Sequence, residues 1–106
     1  WMTSGEDIQA IASNNDEMAI GALQALGKNP NHILIAGVDG TPDALQMLKS
    51  GKMIATIFQD AKGLGEGAVD AAIKLANGEK VEKIIDVPYQ LITKENMAEF
   101  TNRNQK

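Results

Sequence analysis

Three short apolar runs, each broken by a cluster of Asn, Asp, Gln or Thr just before a helical pattern begins, constrain this chain most. In the first, Ile8-Gln9-Ala10-Ile11-Ala12 gives way to Ser13-Asn14-Asn15-Asp16-Glu17-Met18-Ala19. In the second, Ile33-Leu34-Ile35-Ala36-Gly37-Val38 ends in Asp39-Gly40-Thr41-Pro42-Asp43; in the third, Met53-Ile54-Ala55-Thr56-Ile57-Phe58 ends in Gln59-Asp60. Nearly continuous apolar runs of this length are what parallel strands covered on both faces look like. Strands alternating with helices imply right-handed crossovers and an α/β fold on a parallel sheet. The junction from strand end to helix start is the edge where ligands bind in such sheets, because side chains there sit on rigid backbone beside unpartnered helix N–H groups. Three strand ends therefore deliver Asn15, Asp39 and Gln59 to one rim.

The pattern predicts strands over residues 7–13, 33–38 and 53–58. Helices are expected over 15–26, with Met18, Ala19, Ala22, Leu23 and Leu26 inward and Gly27 as the left-handed stop, and over 42–50, opened by Thr41-Pro42 and closed by Gly51. Asn14 with Glu17 three residues on reads as a variant of the capping box. Residues 28–32 form a loop, since Pro30 forbids continuation of the helix. A longer helix over 61–77, with Leu64, Ala68, Ala71, Ala72 and Leu75 as its inner stripe, stops at Gly78. A last strand over 83–92 is interrupted by Pro88, which cannot donate a ladder hydrogen bond and so marks an edge or a crossover. Residues 94–101 are expected to form a short helix and 102–106 a frayed tail.

With 106 residues the chain makes one domain (1–106), long enough to bury roughly two thirds of its unfolded surface without staples. Zero Cys excludes a disulfide framework and thiolate metal sites. A net charge of −4 with no Lys/Arg cluster argues against a nucleic-acid partner, which needs a basic stripe. No apolar stretch approaches the roughly 18 residues of a membrane span. At the amino end, Trp1-Met2-Thr3-Ser4-Gly5 reads as the last turn of a helix with Gly5 past its end, so the chain is expected to be a piece of a longer one.

Asn15-Asp16-Glu17-Met18-Ala19-Ile20-Gly21-Ala22, Gly37-Val38-Asp39-Gly40-Thr41-Pro42-Asp43 and Ala55-Thr56-Ile57-Phe58-Gln59 together resemble the carboxyl-terminal part of the ribose-binding proteins of ABC importers, from Thr3 to about Phe100. The effector domains of lactose-repressor-type transcription regulators share the first two motifs and are the alternative. The resemblance implies the carboxyl-terminal lobe of a periplasmic-binding-protein-like fold, a partial doubly wound parallel sheet, with residues 5–59 in that lobe. The helix of 61–78 would belong to the other lobe, and residues 83–92 would be the returning crossover strand. It implies that Asn15, Asp39 and Gln59 contact the hydroxyls of a ribose-like monosaccharide. The intact protein would be periplasmic or extracytoplasmic and would serve a membrane permease, without catalysis and without a cofactor. With half a site, this chain alone should bind sugar feebly or not at all. Five apolar residues on a helix lacking its own lobe, at roughly 1–2 kcal/mol each, are costly to leave wet in a domain stable by about 5–15 kcal/mol. That helix is therefore expected to fold back on the sheet or to pair with a second chain.

Each singled-out residue also has a plainer reading. Asx residues at strand-to-helix junctions commonly cap the helix, and Asp16 and Glu17 in a first turn favour the helix dipole. Asn14 and Asp43 read as caps or turn residues. His32 lacks companions for a zinc site, and Thr41-Pro42 turns the chain between Asp39 and Asp43, which disfavours a metal or acid/base pair. Gly63-Leu64-Gly65-Glu66-Gly67-Ala68 matches the dinucleotide fingerprint, with Asp86 beyond it, but Asp60-Ala61-Lys62 separate it from the strand. These glycines are read as allowing close helix packing.

Overall fold

A computed structural model describes residues 1–103 of the chain. Its elements are β1 (Ala10–Ala12), α1 (Asp16–Leu26), β2 (Leu34–Asp39), α2 (Pro42–Lys49), β3 (Ala55–Phe58), α3 (Ala61–Ala76), β4 (Gln90–Thr93) and a 3-10 turn over Met97–Phe100. The first strand is much shorter than residues 7–13, and the third begins two residues later than the apolar run.

The helix boundaries follow from local chemistry. Asn15 Oδ1 accepts from Met18 N at 2.8 Å to open α1, so Asn15, and not Asn14, is the cap. Gly27 closes α1 at φ +61. Thr41 Oγ1 accepts from Ala44 N at 3.2 Å to open α2, with Pro42 at the first helical position.

The sheet runs in the order β1-β2-β3-β4. β1 and β2 are parallel with Ala12 opposite Ala36, and β2 and β3 are parallel with Val38 opposite Ile57. β4 departs from the all-parallel expectation: it runs antiparallel to β3, with Thr56 opposite Ile92. Pro88 lies before this strand and does not interrupt it.

Right-handed crossovers between consecutive neighbours put α1 and α2 on the same side of the sheet. Beneath them lies the core, built from Ala19, Ile33, Ile35, Ala44, Leu45, Leu48, Met53, Phe58, Ile92 and Phe100. The other face bears Ala10, Ala12, Leu34, Ala36, Val38, Ala55, Ile57 and Leu91, none of them buried. Runs apolar on both faces are thus covered on one face only.

α3 does not fold back on the sheet, the first of the two arrangements expected from its apolar stripe. None of its sixteen residues is buried, and Leu64 and Leu75 are 42% and 58% exposed. The reason is topological. A helix joining parallel neighbours must cross over the sheet, whereas β3 and β4 are antiparallel and require no crossover. Asp60 Oδ1 accepts from Gly63 N at 3.0 Å to start α3, and the helix leads away from the sheet. Its half-buried positions are Gly63, Gly67 and Ala71, spaced four apart. They face the returning segment: a Cβ on Gly63 would lie 3.3 Å from Val87 Cγ1, and Gly67 and Ala71 share a surface groove with Val81 and Ile85. The result is an arm, and the molecule measures 60 × 29 × 20 Å with a radius of gyration of 17.7 Å, against about 13 Å for a compact chain of this length.

The carboxyl end is better anchored than a frayed tail. The Phe58 and Phe100 rings are 5.0 Å apart, and the Arg103 guanidinium lies 4.6 Å from the first and 5.3 Å from the second. Arg103 also reaches Asp60 Oδ2 at 3.6 Å. Residues 104–106 of the predicted tail lie outside the described residues. Of the helix expected over 94–101, only the single 3-10 turn forms. Asn96 secures it, accepting from Thr93 N at 2.8 Å and donating to Leu91 O at 2.9 Å.

Candidate ligand-binding rim

The carboxyl ends of β2 and β3 are in register, with Asp39 opposite Phe58; Asp39 closes β2, Gln59 follows β3, and Asn15 lies three residues past the end of β1. Ser13 N donates to Ala36 O at 2.9 Å, so the chain leaving β1 stays against β2 as it reaches Asn15. Gln59 N donates to Asp39 O at 3.2 Å, tying the ends of β2 and β3 together. Asn15, Asp39 and Gln59 are all half-buried. Capping consumes only the carbonyl oxygen of the Asn15 amide, and its Nδ2 retains two donors.

Asp39 is unusual in two respects. Its φ is +127°, in the region that residues with a side chain rarely occupy. Its carboxyl is raised above the ordinary range by burial first, then by the neighbouring charges of Asp16 and Glu17. Strained backbone of this kind costs on the order of 1–3 kcal/mol and gathers at functional sites.

Beneath the rim lies a group that sequence reasoning assigned to the helix dipole. Asp16 is fully buried. Its Oδ1 accepts from Thr56 Oγ1 at 2.6 Å and its Oδ2 from Thr41 N at 2.9 Å. Thr56 Oγ1 in turn accepts from Gly40 N at 3.3 Å. One carboxylate thus joins the start of α1, the turn from β2 to α2, and the middle of β3. Gly37 makes the space: a Cβ there would collide with Asp16 Oδ1 and stand 3.1 Å from its Cα. Thr56 carried the available signal, as the one polar residue within the apolar run 53–58.

Residues 1–80 match the family described as periplasmic binding protein domain. The chain belongs to the periplasmic binding protein family. Among its relatives, a putative rhizopine-binding protein of Rhizobium meliloti is 47% identical over 107 residues, covering 98% of this chain and 35% of the relative. The ribose import binding protein of Bacillus subtilis is 44% identical over 87 residues, 82% of this chain and 28% of the relative. Two solved structures are similar in fold as well. An ABC transporter solute binding protein from Bacillus halodurans with bound myo-inositol superposes at a TM-score of 0.87, with 46% identity over 97% of this chain and 36% of that one. A periplasmic solute binding protein from Actinobacillus succinogenes with bound D-allose superposes at 0.84, with 32% identity over 92% and 35%. The chain spans about a third of the length of the curated relatives it matches.

Other candidate motifs of this periplasmic binding protein domain fall away from the rim. Gly63 to Ala68 lie inside α3, not in a turn after a strand, and only Gly63 is in close contact; a Cβ on Gly65 or Gly67 would meet nothing within 4 Å. His32 is exposed in its loop, and Asp43 is exposed in the first turn of α2.

Proposed function

We propose that this chain carries part of the solute site of an extracytoplasmic binding protein serving an ABC importer, and that Asn15, Asp39 and Gln59 contact the hydroxyls of ribose or a related aldose. The observation that supports it best is the convergence of one carboxylate and two amides on a single rim, with Asp39 held in a strained conformation. Vicinal ring hydroxyls both donate and accept; a carboxylate accepts from two at once, and an amide can donate to one and accept from another. A relative named for ribose import and two similar solved structures holding myo-inositol and D-allose have polyhydroxylated rings as a common ligand chemistry. The reading is one of binding without catalysis.

Alone, the chain offers the ligand one wall and leaves its other face in water. Millimolar affinity, equivalent to about 4 kcal/mol, is expected. D-ribose and myo-inositol titrated separately into the labelled chain should shift the NMR signals of Asn15, Asp39 and Gln59 at millimolar concentrations. Low-micromolar binding would refute the partial site, and unperturbed signals at all three residues with both compounds would refute the sugar contact. The uncovered sheet face and the exposed arm further support self-association of this chain.

A further inference from the structure

We propose that Asp16 is the positioning residue of the rim, holding the β2–α2 turn and β3 in the relative placement that presents Asp39 and Gln59. The inference rests on the sugar-contact reading of those two residues. An Asp in the first turn of a helix ordinarily acts from the surface, where its charge favours the helix amino end. Asp16 is fully buried, and the local capping task is done by Asn15. Both Asp16 oxygens bond to other elements, 25 and 40 residues away in sequence.

The partners bracket the site. Thr41 N and, through Thr56 Oγ1, Gly40 N converge on the carboxylate immediately after Asp39. Gly37 opens space for that carboxylate two residues before it. Asp39 therefore sits on a short stretch of backbone held at both ends. On β3, Thr56 lies three residues before Gln59, whose N–H donates to Asp39 O. Moving Asp16 would release the Gly40–Thr41 turn and the Thr56 anchor together.

The test uses the 106-residue chain as Thr56→Val, Thr56→Ser and Asp16→Asn. Thr56→Val removes the hydroxyl at constant shape and should speed amide exchange at Gly40 and Thr41 by about tenfold or more. It should also abolish the D-ribose shift at Asp39, and Thr56→Ser should restore both. Asp16→Asn leaves one acceptor oxygen where two donors now converge, and should likewise speed amide exchange at Gly40 or Thr41 and weaken the ribose shift at Asp39. Equal exchange and equal ribose shifts in the Val and Ser variants would overturn the proposal, as would unchanged exchange at both Gly40 and Thr41 in a folded Asp16→Asn. Should Asp16→Asn fail to fold, the Thr56 pair decides. A wild-type chain showing no ribose shift at Asp39 overturns the sugar reading instead, and the exchange comparison at Gly40 and Thr41 still judges the role of Asp16.

Discussion

At Gly37 a single methyl group would strike the Asp16 carboxylate and come within 3.3 Å of the Ala19 side chain. Gly37→Ala should destabilise the chain by about 2 kcal/mol, the usual cost of overpacking, read from the urea midpoint. Asp39 should behave in the opposite sense. Because its folded carboxyl holds a proton more tightly than the unfolded one, the folded state binds more protons in the interval just above the ordinary Asp range. Stability therefore falls as pH rises through that interval and stays reduced above it. Asp39→Asn should raise the melting temperature at neutral pH, and the gain should vanish below the ordinary carboxylate range. Asp39→Gly should additionally relieve the φ of +127°, adding about 1 kcal/mol, while losing any sugar contact. The three rim residues were legible because each closes an apolar run. Asp16 was not, since a first-turn carboxylate looks the same in sequence whether it points to water or into the core. Only the register of β2 against β3 brings Thr56 beneath it.

Among the elements, the helices that cover the sheet and the helix that leaves it differ in what holds them. α1 and α2 bury Ala19, Ala44, Leu45 and Leu48, whereas α3 buries nothing. Helices of this length are marginal in water without tertiary support, and α3 contains Gly63, Gly65 and Gly67. Its amides should exchange much faster than those of α1. Gly65→Ala and Gly67→Ala, both at open positions, should each slow that exchange by about 0.5–1 kcal/mol of local stability without shifting the core transition. The existence of all three helices was plain from spacing and punctuation. The direction of β4 was not, because one strand's residues look alike in either orientation, and only the course of the chain after α3 decides between them. The same ambiguity left packing on the sheet among the arrangements expected for α3, and that direction removes it.

At the scale of the molecule, two apolar surfaces stand open among the described residues: the sheet face around Ala36, Val38 and Ile57, and the outer sides of the arm, with Val69, Ile73 and Ile84 each more than half exposed. Contiguous exposed apolar surface drives association. Light scattering should find a dimer or larger species, and Ile57→Asp, placed mid-face, should return it to a monomer with the core intact; a wild-type monomer at high concentration would count against self-association. The antiparallel pairing of Phe58 with Gln90 has a last consequence. To the sheet, everything from residue 59 to 89 is merely the connection of a β-hairpin. Closing so long a connection carries an entropic penalty that each doubling in length raises by about 0.6 kcal/mol. Replacing it with Asn-Gly removes about four doublings, so the shortened chain should fold faster and be roughly 2 kcal/mol more stable than its parent.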